Sequence, residues 1–344
     1  MLASRAISGF PDKIIRADPA RFSDVRKVPG TLPRYVDYSG QVTFPGEIQL
    51  NQTRMWAFLL KGDSAKMAAW CQAMFDTPSH GAVQILPLSS YLMMSVVDIG
   101  AGRFADAPQM GWSRERELTF WIPVVRVADQ DGMKIATKFY MAMPYLVLDN
   151  PVAIASGREI FGYMKQSGRI ACPGDPGNPA NLAVDLFATR AFGQDSEEQY
   201  QRLLDLIPTG RSHPLDDAAR GFESGAKALW SQLAGDAQSW HPSLKLGEDL
   251  LGDVLAQRIP QLFLKQFRDV ADGTRACYQA ITEAPGHVAR FDSVPHLVEY
   301  DMVLHALDSS PIAAQFGITP QQRVLGAEFV YDMTIAPGTV LWQA

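Results

Sequence analysis

The chain is 344 residues long, 47% hydrophobic and 20% charged, with a formal net charge of −6. This balance excludes a disordered chain and leaves enough length to bury a sizeable core. An acidic surplus without any basic stripe or block of like charges argues against a nucleic-acid partner, and no apolar run approaches the roughly 20 residues that cross a bilayer.

The first stretch, "MLASRAISGFPDKIIRADPARF", lacks the continuous apolar core of a signal peptide and already carries Asp12 and Lys13. Cys71, Cys172 and Cys277 are far apart and odd in number, which fits neither a disulfide framework nor a zinc site and predicts a reducing cytoplasm. His213, His241, His287, His296 and His305 are isolated from one another. No glycine-rich phosphate loop follows a strand, so neither a metal nor a nucleotide cofactor is expected.

In chain order, residues 34–62 read as extended segments with turns, such as "YVDYSGQVTF". Asp63 then fits a helix N-cap. Met67, Trp70, Cys71, Met74 and Phe75 follow at helical spacing, which predicts an amphipathic helix over 64–76. Residues 81–147 read as β-structure, in short β-branched runs without a crossover-length helical pattern between them, so antiparallel pairing is expected. Residues 195–257 change character. "SEEQYQRLLDLI", "DDAARGFESGAKALWSQLAG" and "LGEDLLGDVLAQ" read as three helices burying Leu203, Leu204, Phe222, Leu229, Trp230, Leu250 and Val254. "QLFLKQF" and "ACYQAITEA" return to β character, with Asp272-Gly273 as a hairpin signal. The expectation is one domain over 1–344, interrupted by a helical insertion at about 195–257.

The segment "LDNPVAIASGREIFGYMKQSG", residues 148–168, sets Lys165 among Ile160, Phe161, Tyr163 and Met164. Lysine normally titrates near pH 10.4, and only its neutral amine attacks a carbonyl. A dry pocket penalises the charged form and can supply the shift of several units that a Schiff-base lysine needs. The bland alternative is a surface lysine whose stem lies along apolar neighbours while its ammonium stays wet.

The segment resembles the signature of the acetoacetate decarboxylase family. There an L-D-N turn, an A-I-A run, G-R-E and then Y-P-K-K lead to the Schiff-base lysine, the first of the K-K pair. Leu148, Asp149, Asn150, Ala153, Ile154, Ala155, Gly157, Arg158, Glu159, Tyr163 and Lys165 fall on that pattern without a gap. "WIPV" at 121–124 resembles the family's I-P-V strand, and "FLKQFRDVADGTRACYQAIT" its later hairpin. The resemblance covers about 40–190 and 258–343. Two positions depart from it: Gln166 replaces the second lysine and Met164 the proline. The family is a known case of a lysine activated by desolvation or by a cationic neighbour. With the cationic neighbour gone here, desolvation has to do most of the work on the lysine.

The resemblance implies an α+β protein with an antiparallel, barrel-like β core and peripheral helices. It implies a lyase: a decarboxylase that uses a Lys165 Schiff base, needs no cofactor, acts on a small-molecule keto acid and assembles as a homo-oligomer. It places Glu117 as a catalytic carboxyl and Asp98 as a second pocket carboxylate. Arg54 is the nearest candidate to hold the substrate carboxylate, although the alignment sets Thr53 on that position, and a one-residue slip turns a strand side chain to the other face. Phe161, Tyr163 and Gln166 complete the expected pocket, and Arg158 with Glu159 would hold the lysine segment. Aldolase–dehydratase chemistry through the same iminium is the main alternative, and a non-catalytic small-molecule binder on the same fold is another.

Overall fold

The computed structural model describes residues 46–175, 180–214 and 256–344, with isolated positions at 32, 35, 36, 43, 241, 242, 246, 252 and 253. Most of these residues belong to one sheet. In chain order its strands are β1 (Ile48–Lys61), β2 (Gln84–Pro87), β3 (Tyr91–Phe104), β4 (Ser113–Gln130), β5 (Met133–Leu148), β6 (Lys165–Ala171) and β7 (Leu182–Ala188). They continue as β8 (Gln199–Pro214), β9 (His241–Pro242), β10 (Arg258–Arg268), β11 (Ala276–Leu304), β12 (Gln321–Ile335) and β13 (Thr339–Gln343).

The sheet closes on itself. β1 lies between β12 and β3, β3 pairs β4, and β4 pairs β5. β10 then joins β5 to β11, which returns to β12. Seven strands therefore form a ring that leaves no free edge between them. Pairing around the ring is antiparallel except at β10–β5, and antiparallel over the 81–147 region as expected. Side chains alternate along each strand, so the ring has two apolar faces. Val97, Ile99, Leu146, Leu148, Phe263, Tyr331 and Met333 pack inside it. Trp56, Phe58, Met94, Phe120 and Tyr140 point outward, where β6, β7 and β8 cover them with Ile170, Val184 and Leu204.

Asp63 caps α1 (Ser64–Cys71) as expected, accepting from the Ala65 and Lys66 amides. A π-turn over Gln72–Asp76 carries the helix to its expected end, and Met67, Trp70, Cys71 and Phe75 are buried. The Asp272-Gly273 turn joins β10 to β11, which pair antiparallel. α3 (Ile312–Phe316) precedes β12.

The expected helix over "SEEQYQRLLDLI" is instead the start of β8, which pairs β7 and β11. The pairing skips from Val184↔Leu204 to Asp185↔Arg202, leaving Leu203 as an extra, bulged residue. Leu203 and Leu204 are both fully buried as a result. An apolar doublet that a helix would place on one face is here produced by a bulge. The second expected helix and most of the third, with Phe222, Leu229, Trp230, Leu250 and Val254, lie outside the described residues, as does most of "YVDYSGQVTF".

Candidate active site

The segment around Lys165 folds as strand, helix, strand. β5 ends at Leu148, α2 spans Pro151–Ile160, and β6 starts at Lys165 and pairs parallel to β5, with Leu146 opposite Lys165. Asn150 caps α2: its side-chain oxygen accepts from the Val152 and Ala153 amides, and Pro151 sits at the first helical position, where its missing N–H costs nothing. Removing this cap with Asn150→Ala should cost about 1 kcal/mol. Thermal melting should show a fall of roughly 2–4 °C, and an unchanged melting temperature would mean the cap contributes nothing.

Lys165 is 8% exposed and projects inside the ring. Its Nζ donates to the carbonyl of Ala153, 3.2 Å away, and lies 5.0 Å from the centre of the Tyr163 ring. Arg158 donates to the Lys165 carbonyl at 3.1 Å, which ties α2 to the strand that carries the lysine. Tyr163 is itself buried; its hydroxyl donates to Gln261 Oε1 at 2.6 Å, and its ring packs against Phe161 and Phe263. Phe161 is fixed by its carbonyl, which accepts from Thr282 Oγ1.

Gly157 stands directly against the lysine stem. A Cβ there would lie 2.7 Å from Lys165 Cε and 2.8 Å from Cδ and Nζ. Glycine inside a helix costs up to about 1 kcal/mol relative to alanine, so this position is held open for the lysine. The atoms met by the added carbon end a flexible side chain. Gly157→Ala should therefore leave the fold intact and push the amine aside, slowing imine formation by about 100-fold, the cost of a displacement near 1 Å. Timed borohydride trapping measures this; an unchanged rate would mean the close approach has no consequence.

β4 supplies two carboxyls to the same interior. Glu115 and Glu117 are two residues apart and share the inner face. Across the sheet, Glu115 is opposite Ile99 and Glu117 lies between Val97 and Leu148, all inner-face residues. Burial pushes the Glu117 carboxyl up to about 7; Lys165 opposes that rise, and Glu115 and Asp149 add to it. Burial raises Glu115 too, again opposed by Lys165. Neither carboxyl forms an ion pair with Lys165, whose Nζ makes its one hydrogen bond among the described residues to Ala153. Tyr331, opposite Thr53 on β12, is held well above its ordinary range by burial and by Glu117.

Several expected site residues lie elsewhere. Asp98 is opposite Arg116 and faces outward, where it takes both Nε and Nη2 of Arg114. Arg54 is opposite Asp98 on the same outer face, paired with Glu328 and lying over Trp56. Thr53, one residue away, occupies the inner face and is fully buried. Gln166 follows Val147 to the outer face, and Met164 is 43% exposed, so neither contributes to the interior around the amine. Glu115 and Thr53 were not among the expected site residues, yet strand alternation, counted two residues from Glu117 and one from Arg54, places both. No arginine is among the buried residues described.

A separate cleft of about 360 Å³ opens outside the ring at the head of β4 and α2, lined by Arg114, Arg116, Asp149, Asn150 and Pro151. Its arginines are already engaged: Arg116 grips Asp175 with two bonds of 2.7 Å and Arg114 grips Asp98. The buried lysine and its two carboxyls lie inside the ring, not in this cleft. Among the described residues no group of His, Cys, Asp and Glu is arranged to hold a metal, and no helix is long and apolar enough to cross a membrane.

The fold is acetoacetate decarboxylase-like, and solved structures share it. An acetoacetate decarboxylase from Legionella pneumophila subsp. pneumophila strain Philadelphia 1 is 15% identical, with a TM-score of 0.54 over 92% of this chain and 94% of that one. An acetoacetate decarboxylase-like enzyme from Sphingomonas wittichii RW1 is 12% identical, with a TM-score of 0.53 over 92% and 100%. The enduracididine biosynthesis enzyme MppR is 12% identical, with a TM-score of 0.50 over 88% and 90%. Neither a family model nor a curated protein sequence matches the chain.

Proposed function

We propose that this protein is an enzyme that forms a Schiff base through Lys165 and decarboxylates acetoacetate or a related β-keto acid. The observation that supports this is a lysine buried inside the ring, seated in the gap left by Gly157 and without an ion-paired partner, beside a carboxyl that burial pushes up to about 7. A structural lysine buried this deeply would ordinarily be neutralised by a carboxylate within bonding reach.

The neutral amine of Lys165 adds to the ketone, and loss of water leaves a protonated imine. That cation draws in the electron pair of the bond joining the α-carbon to the carboxylate. Carbon dioxide leaves and an enamine remains. A proton added to the enamine carbon regenerates the iminium, and water then releases the ketone and the amine. One proton is consumed for each carbon dioxide formed. Glu117, half-protonated near neutrality, is suited to carry that proton. With no buried arginine among the described residues, the iminium is the main counter-charge to the substrate carboxylate.

Incubation with acetoacetate and borohydride should add the mass of the reduced imine to the peptide that carries Lys165, and carbon dioxide should be evolved without reductant. Mass on another lysine would sink the proposal. An adduct without carbon dioxide would point to aldolase–dehydratase chemistry, and no adduct to a non-catalytic binder.

A further inference from the structure

Five buried side-chain atoms of the described residues lack a hydrogen-bond partner. Three of them, Thr53 Oγ1, Glu115 Oε2 and Thr119 Oγ1, belong to the inner face of the ring. Their residues are at most 7% exposed. An orphaned buried polar atom costs roughly 1–3 kcal/mol, so three on one face are an expensive arrangement unless something binds them.

Their positions follow from the register. Thr53, Ile99 and Glu115 are in one row across β1, β3 and β4. Glu117 lies in the next inner row, about 7 Å along the strand, and Thr119 is opposite Leu146, itself opposite Lys165. Glu115 also leans toward β3, where its Oε1 is 3.5 Å from the place a Cβ would take on Gly102. Thr53 and Glu115 therefore flank Ile99, with about 10 Å between their backbones and an unpartnered oxygen on each residue. Lys165 and Thr119 lie at the other end of the same face.

We propose that the Thr53–Glu115 row is a specificity subsite for an uncharged hydroxyl on the substrate, remote from the ketone that reacts at Lys165. The inference rests on the Schiff-base reading and names its substrate class: a β-keto acid whose chain carries an alcohol on the side away from the carboxylate. Such a hydroxyl donates to Glu115 Oε2 and accepts from Thr53 Oγ1, satisfying both atoms at once. An anionic group fits poorly, because the row contains no cation and Glu115 would repel it.

The test compares two isosteric linear β-keto acids, one ending in a primary alcohol and one in a methyl group. The wild-type kcat/KM should favour the alcohol by at least about tenfold, since a site built to bond a hydroxyl rejects the analogue that lacks it. Thr53→Val keeps the shape and removes the hydroxyl, so the preference should collapse toward unity. Thr53→Ser should retain it, and Glu115→Gln should weaken it. A wild-type ratio near one, or a ratio that Thr53→Val leaves intact, overturns the subsite while leaving the Schiff base standing. If borohydride traps neither compound on Lys165, the Schiff-base reading fails and the subsite with it.

Discussion

Lys165→Met should abolish borohydride trapping and lower turnover by on the order of 10⁴-fold or more, because no other group supplies the electron sink. It should do so without weakening the fold. Methionine nearly matches the length of the lysine stem, and that stem already lies in an apolar enclosure between Gly157 and Tyr163. The only hydrogen bond lost is the one from Nζ to the Ala153 carbonyl. In exchange, a polar head that is buried without an ion-paired carboxylate disappears, and burying such a group carries a cost. The variant should melt at the same temperature as the parent or above it, the pattern of a site kept for activity at the expense of stability. Thermal melting and trapping on the same sample check both halves. A loss of stability of more than about 2 kcal/mol would make Lys165 a structural residue.

The path from sequence to site was legible where the signal was local. Asp63 and its apolar spacing gave α1, and the β-branched runs gave β2 to β5. Lys165 and Glu117 were singled out by the family resemblance rather than by local pattern, and both lie on the inner face of the ring. Parity across a closed ring was harder to see. Asp98 and Arg54 are each one residue from inner-face neighbours, and one residue decides whether a strand side chain meets the amine or the outer core. Gln166 illustrates the same point: adjacent to Lys165 in sequence, it faces the other way, so its loss of the family's charge is not felt across a shared pocket. The β8 bulge at Leu203 is a tertiary event that leaves a helical imprint in the sequence, because pairing to β7 and β11 overrides local pattern.

Glu117→Gln should lower kcat by about 10²–10⁴-fold, the range for loss of a positioned acid or base, while leaving imine formation at Lys165 detectable. The pH dependence separates this from a structural role. With the carboxyl pushed up to about 7 by burial, the protonated form needed to deliver a proton to the enamine is depleted above that pH. Wild-type activity should fall on that limb, and Glu117→Gln should lose the corresponding inflection. Stability moves in the same window. The carboxyl titrates near 4.5 when unfolded and near 7 when folded, so between those values the folded state holds the extra proton. Its contribution is complete below about pH 4.5 and is lost as pH rises to about 7, by roughly 3 kcal/mol. Glutamine is neutral throughout and carries no such dependence. The variant should therefore gain on the wild type as pH rises from 4 to about 8. Part of the slope should persist in the variant, because burial raises Glu115 as well. Denaturant melts across this range decide the matter. Parallel stability curves for the two proteins would show that Glu117 is not the buried proton holder, and the acid at the reacting carbon would have to be found elsewhere.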